Sequence, residues 1–138
     1  MEYERRHELY RLSQKDMEYK KLSKDYFEAL LELNIDWNNL SKSNSYKTKD
    51  GMIFEQKCIM QINRFLKLVP KWKRYEEPVP RTDAYKHLAK LYEKQGNLNA
   101  AARICADAIK AGFPDDGTKG GMQGRLDKLV KKGATIEN

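Results

Sequence analysis

The side chains that ordinarily carry catalysis are few and scattered in this sequence. The only histidines are His7 and His87. His7 falls in a charged N-terminal segment, and His87, between Lys86 and Leu88, reads as a surface side chain rather than a base. Cys58 and Cys105 lie far apart without metal-ligand spacing, each among apolar residues at helical intervals, which is the setting of a small buried thiol. No serine or cysteine stands in a nucleophile motif. The acidic pairs Glu76-Glu77 and Asp115-Asp116 are sequence neighbours, and neighbours on a helix do not face one another. The expectation is a non-enzymatic protein that uses neither metal nor cofactor.

Binding chemistry is better represented. Lys86, Lys90 and Lys94 recur every four residues and share a face of any helix that carries them. Three ammonium groups in a row favour an acidic segment, a carboxylate or a phosphate; the competing reading is a solvated lysine face. A second candidate is the segment RFLKLVPKWKRY, residues 64–75, where Arg64, Lys67, Lys71, Lys73 and Arg74 surround Phe65, Trp72 and Tyr75. Cations interleaved with aromatics can hold phosphates and stack on bases. Against this, Phe65 also belongs to an apolar helix face over which Trp72 can fold. A third candidate is the glycine-rich stretch 117–125, which opens a helix where free backbone N–H groups can hold an anion, with Lys119 and Arg125 adding charge. It lacks the lysine and hydroxyl placement of a nucleotide-binding loop, so a connector and helix start is the better reading.

Charge is unevenly distributed over the 138 residues. The net charge is +7, yet residues 1–50 balance at ten basic and ten acidic side chains, while residues 51–81 hold seven basic and three acidic. A moderately basic surface favours acidic or phosphate-bearing partners. The mean hydropathy of −0.87 suits thin helical layers that bury a stripe and leave the other face in water. No apolar run reaches membrane-spanning length, so no membrane association is expected. With no signal peptide at the N-terminus, a cytoplasmic location is the default.

Helical periodicity organises most of the chain. Leu12, Tyr19, Leu22, Tyr26, Ala29 and Leu33 form one apolar seam, and Ser13 with Asp16 resembles a helix start. The spacing predicts a short helix to Leu12 and a longer one to Leu33, or one kinked helix. Residues 34–50 dissolve into Asn, Ser, Lys and Thr and read as a loop with one turn around Trp37, ended by Asp50-Gly51. An amphipathic helix follows, with Phe54, Cys58, Ile59, Ile62, Phe65, Leu66 and Val69 on one face. Pro70 stops or bends it. Pro78-Val79-Pro80 forms a rigid spacer, the clearest internal boundary.

After the spacer, Thr82 or Asp83 can cap a new helix. Residues 85–115, YKHLAKLYEKQGNLNAAARICADAIKAGFPD, contain two helices that meet at Gly96-Asn97, the second stopping at Gly112 with Pro114 beyond. Tyr85, Leu88, Ala89, Tyr92, Gly96, Ala101, Ala108 and Pro114 hold the signature places of a tetratricopeptide repeat, which this segment resembles. Cys105 departs from the pattern, standing where a large aromatic is usual, and Pro114 arrives one residue late. No regular repeat lies upstream. Downstream, residues 121–132, with Met122, Leu126, Leu129 and Val130, look like the single closing helix of such a stack.

The resemblance implies an all-α fold: antiparallel helical hairpins in a right-handed superhelical stack with a C-terminal capping helix. It implies one domain, composed of a helical layer (1–77), the spacer (78–81), the repeat-like hairpin (82–114) and the loop with its capping helix (115–138). It also places Asp83, Lys86, Lys90, Glu93 and Lys94 in a concave groove that binds an extended or acidic peptide of a protein partner. The alternative is nucleic-acid binding through Arg64, Lys67, Lys71, Trp72, Lys73 and Arg74. A lone repeat cannot cover its own apolar faces. The upstream helices supply the missing layer, or a homo-oligomer does.

Overall fold

The computed structural model describes the backbone of residues 2–135 and the side chains of residues 17–135. Among these residues it is all helical: α1 (Glu2–Ser43), α2 (Lys49–Arg74), α3 (Ala84–Lys94), α4 (Leu98–Lys110) and α5 (Gly121–Lys131). Each helix packs on the next in chain order, and α1 also meets α3 along a short line.

The first helix overturns two sequence expectations. It runs unbroken through residues 13–16, so no helix starts there, and it continues to Ser43 where a loop was expected. The side chains of Leu12, Ser13 and Asp16 lie outside the described residues. The reason for the extension is burial at seven-residue intervals. Tyr19, Tyr26, Leu33 and Leu40 are all buried, and Trp37 packs against the same core. The poor helix formers Asn34, Asn38, Asn39 and Ser41 fall between these anchors, where tertiary packing outweighs their weak propensity. The true turn is short. It spans residues 44–48, with Asn44 at φ 52°, and Thr48 Oγ1 donates to the Ser45 carbonyl at 2.7 Å.

Asp50-Gly51 lies inside the first turn of α2 rather than ending the loop. Gly51 is required there, because a Cβ would sit 2.0 Å from the Tyr46 carbonyl oxygen. Pro70 does not stop α2, which continues to Arg74. Proline removes the bond to the Leu66 carbonyl, but Trp72, two residues on, is anchored against Tyr26 and Phe65 at centroid separations of 5.6 and 5.7 Å. The buried stripe of α2 also differs from expectation. Leu68 and the polar Gln61 are buried, whereas Ile59 and Leu66 are exposed. Gln61 satisfies its amide by donating to the Tyr26 carbonyl at 2.8 Å.

Two apolar clusters hold the helices. The larger joins the C-terminal end of α1 to α2, α3, α4 and α5. The smaller gathers Tyr19, Tyr26, Phe65, Leu68 and Trp72, with Val79 of the spacer and Phe113 packed against it. The large cluster thus unites both sides of the proline spacer.

The hairpin of α3 and α4 forms where the pattern places it. Gly96 takes φ 82° at the turn, and Asn97 Oδ1 accepts from the Ala100 amide at 3.2 Å. Ala89, Ala101, Ala102, Cys105 and Ala108 are fully buried, so the two axes approach closely. At the start of α3 it is Thr82, not Asp83, whose side chain accepts from the Ala84 amide (3.4 Å). In α5, Met122, Leu126 and Leu129 face α4, while Val130 is exposed and Ala134 takes the next buried place.

A cationic cleft between the first, third and fifth helices

The parallel run of α1 and α3 is read directly from their contacts. Asn34 meets His87, Trp37 meets Lys90, and Tyr46 meets Gln95. With α5 on the far side, the odd-numbered helices enclose a cleft of about 690 Å³. Its walls are Trp37, Ser41 and Tyr46 on one side, Lys90, Glu93, Lys94 and Leu98 at the base, and Arg125 and Lys132 opposite.

Charge in the cleft is unbalanced. Arg125 donates from Nε and Nη2 to Asp116 Oδ2 at 3.1 and 3.0 Å, and Lys132 donates to Glu93 Oε1 at 2.6 Å. Lys90 and Lys94 form no ion pair among the described residues. Lys90 is instead held over the Trp37 ring, 5.9 Å from its centroid, a weak cation–π contact. Burial lowers the Lys90 pKa, and the nearby charges of Lys86 and Arg125 lower it further.

The sequence-predicted groove residues divide here. Lys90, Glu93 and Lys94 line the cleft. Asp83 and Lys86 lie beyond its upper end, where Asp83 is shared between Arg81 Nε at 3.3 Å and Lys86 Nζ at 3.6 Å. His87 corrects an expectation: it is only 6 % exposed, not a surface residue. Its ring packs on Trp37 and Phe54, with Nε2 3.0 Å from Asn34 Oδ1. Burial, reinforced by Lys86 and Lys90, pushes its pKa down to about 4, so it is neutral at pH 7 and no proton donor.

The other two sequence candidates change character. Trp72 is 2 % exposed and Phe65 fully buried, so neither ring has a face open to a base. None of Arg64, Lys67, Lys71, Lys73 and Arg74 lines the cleft; Lys67, Lys73 and Arg74 are exposed, while Arg64 and Lys71 are half-buried, Arg64 lying beside Ala29 and Leu33 of α1 and donating to Gln61 Oε1 at 3.3 Å. In the glycine-rich stretch the expected anion-holding amides are already engaged. Gly117 N donates to Asp115 Oδ1 and Thr118 N to Asp116 Oδ1, each at 2.9 Å. Burial alone would raise the Asp116 carboxyl, but bonds from Thr118 and Arg125 outweigh it and hold the pKa below the usual carboxylate value. Arg125 is thereby rigidly aimed along the cleft wall.

Sequence reasoning missed Trp37, Tyr46 and Lys132. The seven-residue spacing from Tyr19 to Leu40 was the available signal for Trp37, since it carries α1 past that residue; Tyr46 lies in the turn beyond α1, where the sequence carries no such signal. Arg125 and Lys132, seven apart, share one face of α5 by the same rule. Both thiols are buried, as expected; burial pushes the Cys105 pKa up to about 11 and raises that of Cys58 as well.

No protein-family model, curated protein or solved structure matches the chain. Among the described residues, no group of three or more His, Cys, Asp or Glu side chains is placed to hold a metal ion, and no helix is long and apolar enough to cross a membrane.

Proposed function

We propose that the chain is a non-enzymatic interaction module, cytoplasmic and tetratricopeptide-like, whose cleft between α1, α3 and α5 holds an acidic, extended segment of a partner protein. The observation that carries this reading is the pair Lys90 and Lys94, unpaired at the base of a concave surface and faced by Arg125 and Lys132. The packing of each helix on the next in chain order, with α1 also meeting α3, supports reading the chain as a repeat-like stack with α5 as its capping helix. The test is fluorescence anisotropy with a labelled glutamate-rich peptide. Lys90→Ala combined with Lys94→Ala lowers affinity roughly tenfold, about 1.4 kcal/mol, with the melting temperature unchanged. Equal affinity for the variant and the parent removes the cleft from consideration.

A second reading rests on the basic C-terminal half of α2. Arg64, Lys67, Lys71, Lys73 and Arg74 make no ion pair among the described residues. With Trp72 and Phe65 buried, Tyr75 is the one exposed ring of the segment, so nucleic acid would be held chiefly through phosphates, giving affinity that falls steeply with salt. Absence of binding to DNA and RNA at low salt ends that reading.

A further inference from the structure

The layer formed by α1 and α2 is covered on one side only. Its covered side meets α3, through Asn34 and Trp37 of α1 and Glu55 of α2. Elsewhere it carries two recesses of about 250 and 230 Å³, and every residue that lines them belongs to α1 or α2. Lys57 lines both, so they form one furrow. Ile53, Lys57, Met60 and Arg64 border it from α2, at the three- and four-residue spacing of a single helix face. Large apolar side chains stand open along it: Ile53 is 46 % exposed and Met60 52 %. Ile35, three residues beyond Glu32 on α1, is 60 % exposed. Apolar side chains gathered in this way around a recess mark an interaction surface rather than isolated exposure.

Charge on this face does not close within one chain. Glu32 and Asp36 both accept from the single ammonium of Lys57, at 2.6 and 2.8 Å, which leaves one negative charge over. Glu28 continues that acidic row and is held only by the exposed Lys24 at 3.9 Å. On α2, Arg64 donates to the Gln61 amide oxygen and to no carboxylate among the described residues. The level of the two antiparallel helices is fixed by Trp37 on Phe54 and Tyr26 on Phe65, with centroids 5.7 and 6.0 Å apart. Counting between those pairs, Ile35 lies level with the interval from Ile53 to Met60, and Glu28 lies level with Arg64.

We infer that this open face of α1 and α2 binds a second copy of the chain as a two-fold dimer. An axis parallel to the helices lays α1 of each copy over α2 of the other at unchanged level. Ile35 of each copy then enters the furrow of its partner between Ile53 and Met60, and Glu28 meets the unmatched Arg64 across the interface. Both contacts occur twice, as a self-complementary surface requires. The area suffices as well. The 26 residues of α2 extend about 39 Å, and two helices side by side are about 20 Å wide. The resulting footprint of about 800 Å² matches the share of each partner in a stable interface. None of the residues lining the cationic cleft lies in the furrow, so dimerisation leaves the cleft open and is independent of what it binds.

Sedimentation equilibrium of the full chain, 16.2 kDa as a single copy, reads the mass from micromolar to millimolar concentration. The mass doubles across that range. Ile35→Asp, a change at an exposed position, holds it at one copy throughout and leaves the melting temperature unchanged. Arg64→Glu and Glu28→Arg each set like charges against one another at both cross-contacts, so each variant alone is monomeric where the parent is a dimer. Mixed in equal amounts the two variants dimerise, because both contacts of the mixed pair then join opposite charges. A parent chain that stays monomeric over the whole range overturns the inference. A dimer that Ile35→Asp leaves intact overturns it too, and so does a mixture of the two charge variants that stays monomeric.

Discussion

Exchanging glycine for alanine at two positions of this protein has opposite consequences, and the difference measures how the wall of the cleft is built. At Gly51 a new Cβ falls 2.0 Å from the Tyr46 carbonyl oxygen and 2.8 Å from its carbon. Ordinary carbon–oxygen contacts begin near about 3.3 Å, so the turn must retreat by roughly 1.3 Å. The obstacle is backbone, and no rotamer change relieves it. Such overpacking costs about 1–3 kcal/mol. The same carbonyl accepts from Gln95 Nε2 at 2.8 Å, and loss of that bond adds about 1 kcal/mol. Alanine regains about 0.5–1 kcal/mol of helix propensity. The net loss is about 2 kcal/mol, which for a chain of this length lowers the melting temperature by roughly 6–10 °C. At Gly124, inside α5, nothing lies within 4 Å of the new Cβ. Gly124→Ala should stabilise by about 0.5–1 kcal/mol. Circular dichroism melts and urea titrations of both variants read the two signs. If Gly51→Ala melts with the parent protein, Tyr46 does not lie over the first turn of α2, and one wall of the cleft is misplaced.

Two further predictions concern buried ionisable groups. The folded-state pKa of His87 is depressed from 6.5 to about 4. Its neutral form therefore contributes stability that is fully present above pH 6.5 and is lost as the pH falls toward 4, up to about 3 kcal/mol. His87→Gln should flatten that part of the stability–pH curve; a variant that loses stability between pH 6.5 and 4 as steeply as the parent would show that the imidazole is not buried as described. Asp116→Asn leaves Arg125 beside a neutral amide and should cost about 3 kcal/mol in urea titrations, with a loss of acidic-peptide affinity as Arg125 is freed from its fixed position. Unchanged stability and affinity would sever the link between that buried pair and the cleft.

Which parts of this architecture were legible in the sequence follows from how each element is stabilised. The α3–α4 hairpin was legible because local signals agree there: Gly96 at the turn, Asn97 as a cap, alanines at the crossing and Gly112 at the stop. The extension of α1 through Asn34, Asn38 and Asn39 was not, because those residues are poor helix formers held by anchors seven residues apart and by α3. The continuation of α2 past Pro70 was hidden for a similar reason, since the aromatic packing of Trp72 overrides a local stop signal. For the site, the lysine row of α3 was visible as spacing. The cleft was not, since Trp37, Lys90 and Arg125 come together only through contacts between distant segments. His87 was misjudged because charged neighbours in sequence say little about a helix face turned against two others.

The chain-order packing has a mechanical corollary. Cohesion comes from neighbouring helices, α1 on α2, α2 on α3, α3 on α4 and α4 on α5. The cleft is bounded by the next-but-one helices, which touch only lightly. A few degrees of rotation shared among four well-packed joints would change the width of the cleft without opening any joint, so the cleft is where the stack yields most easily, like the mouth of a shallow spring.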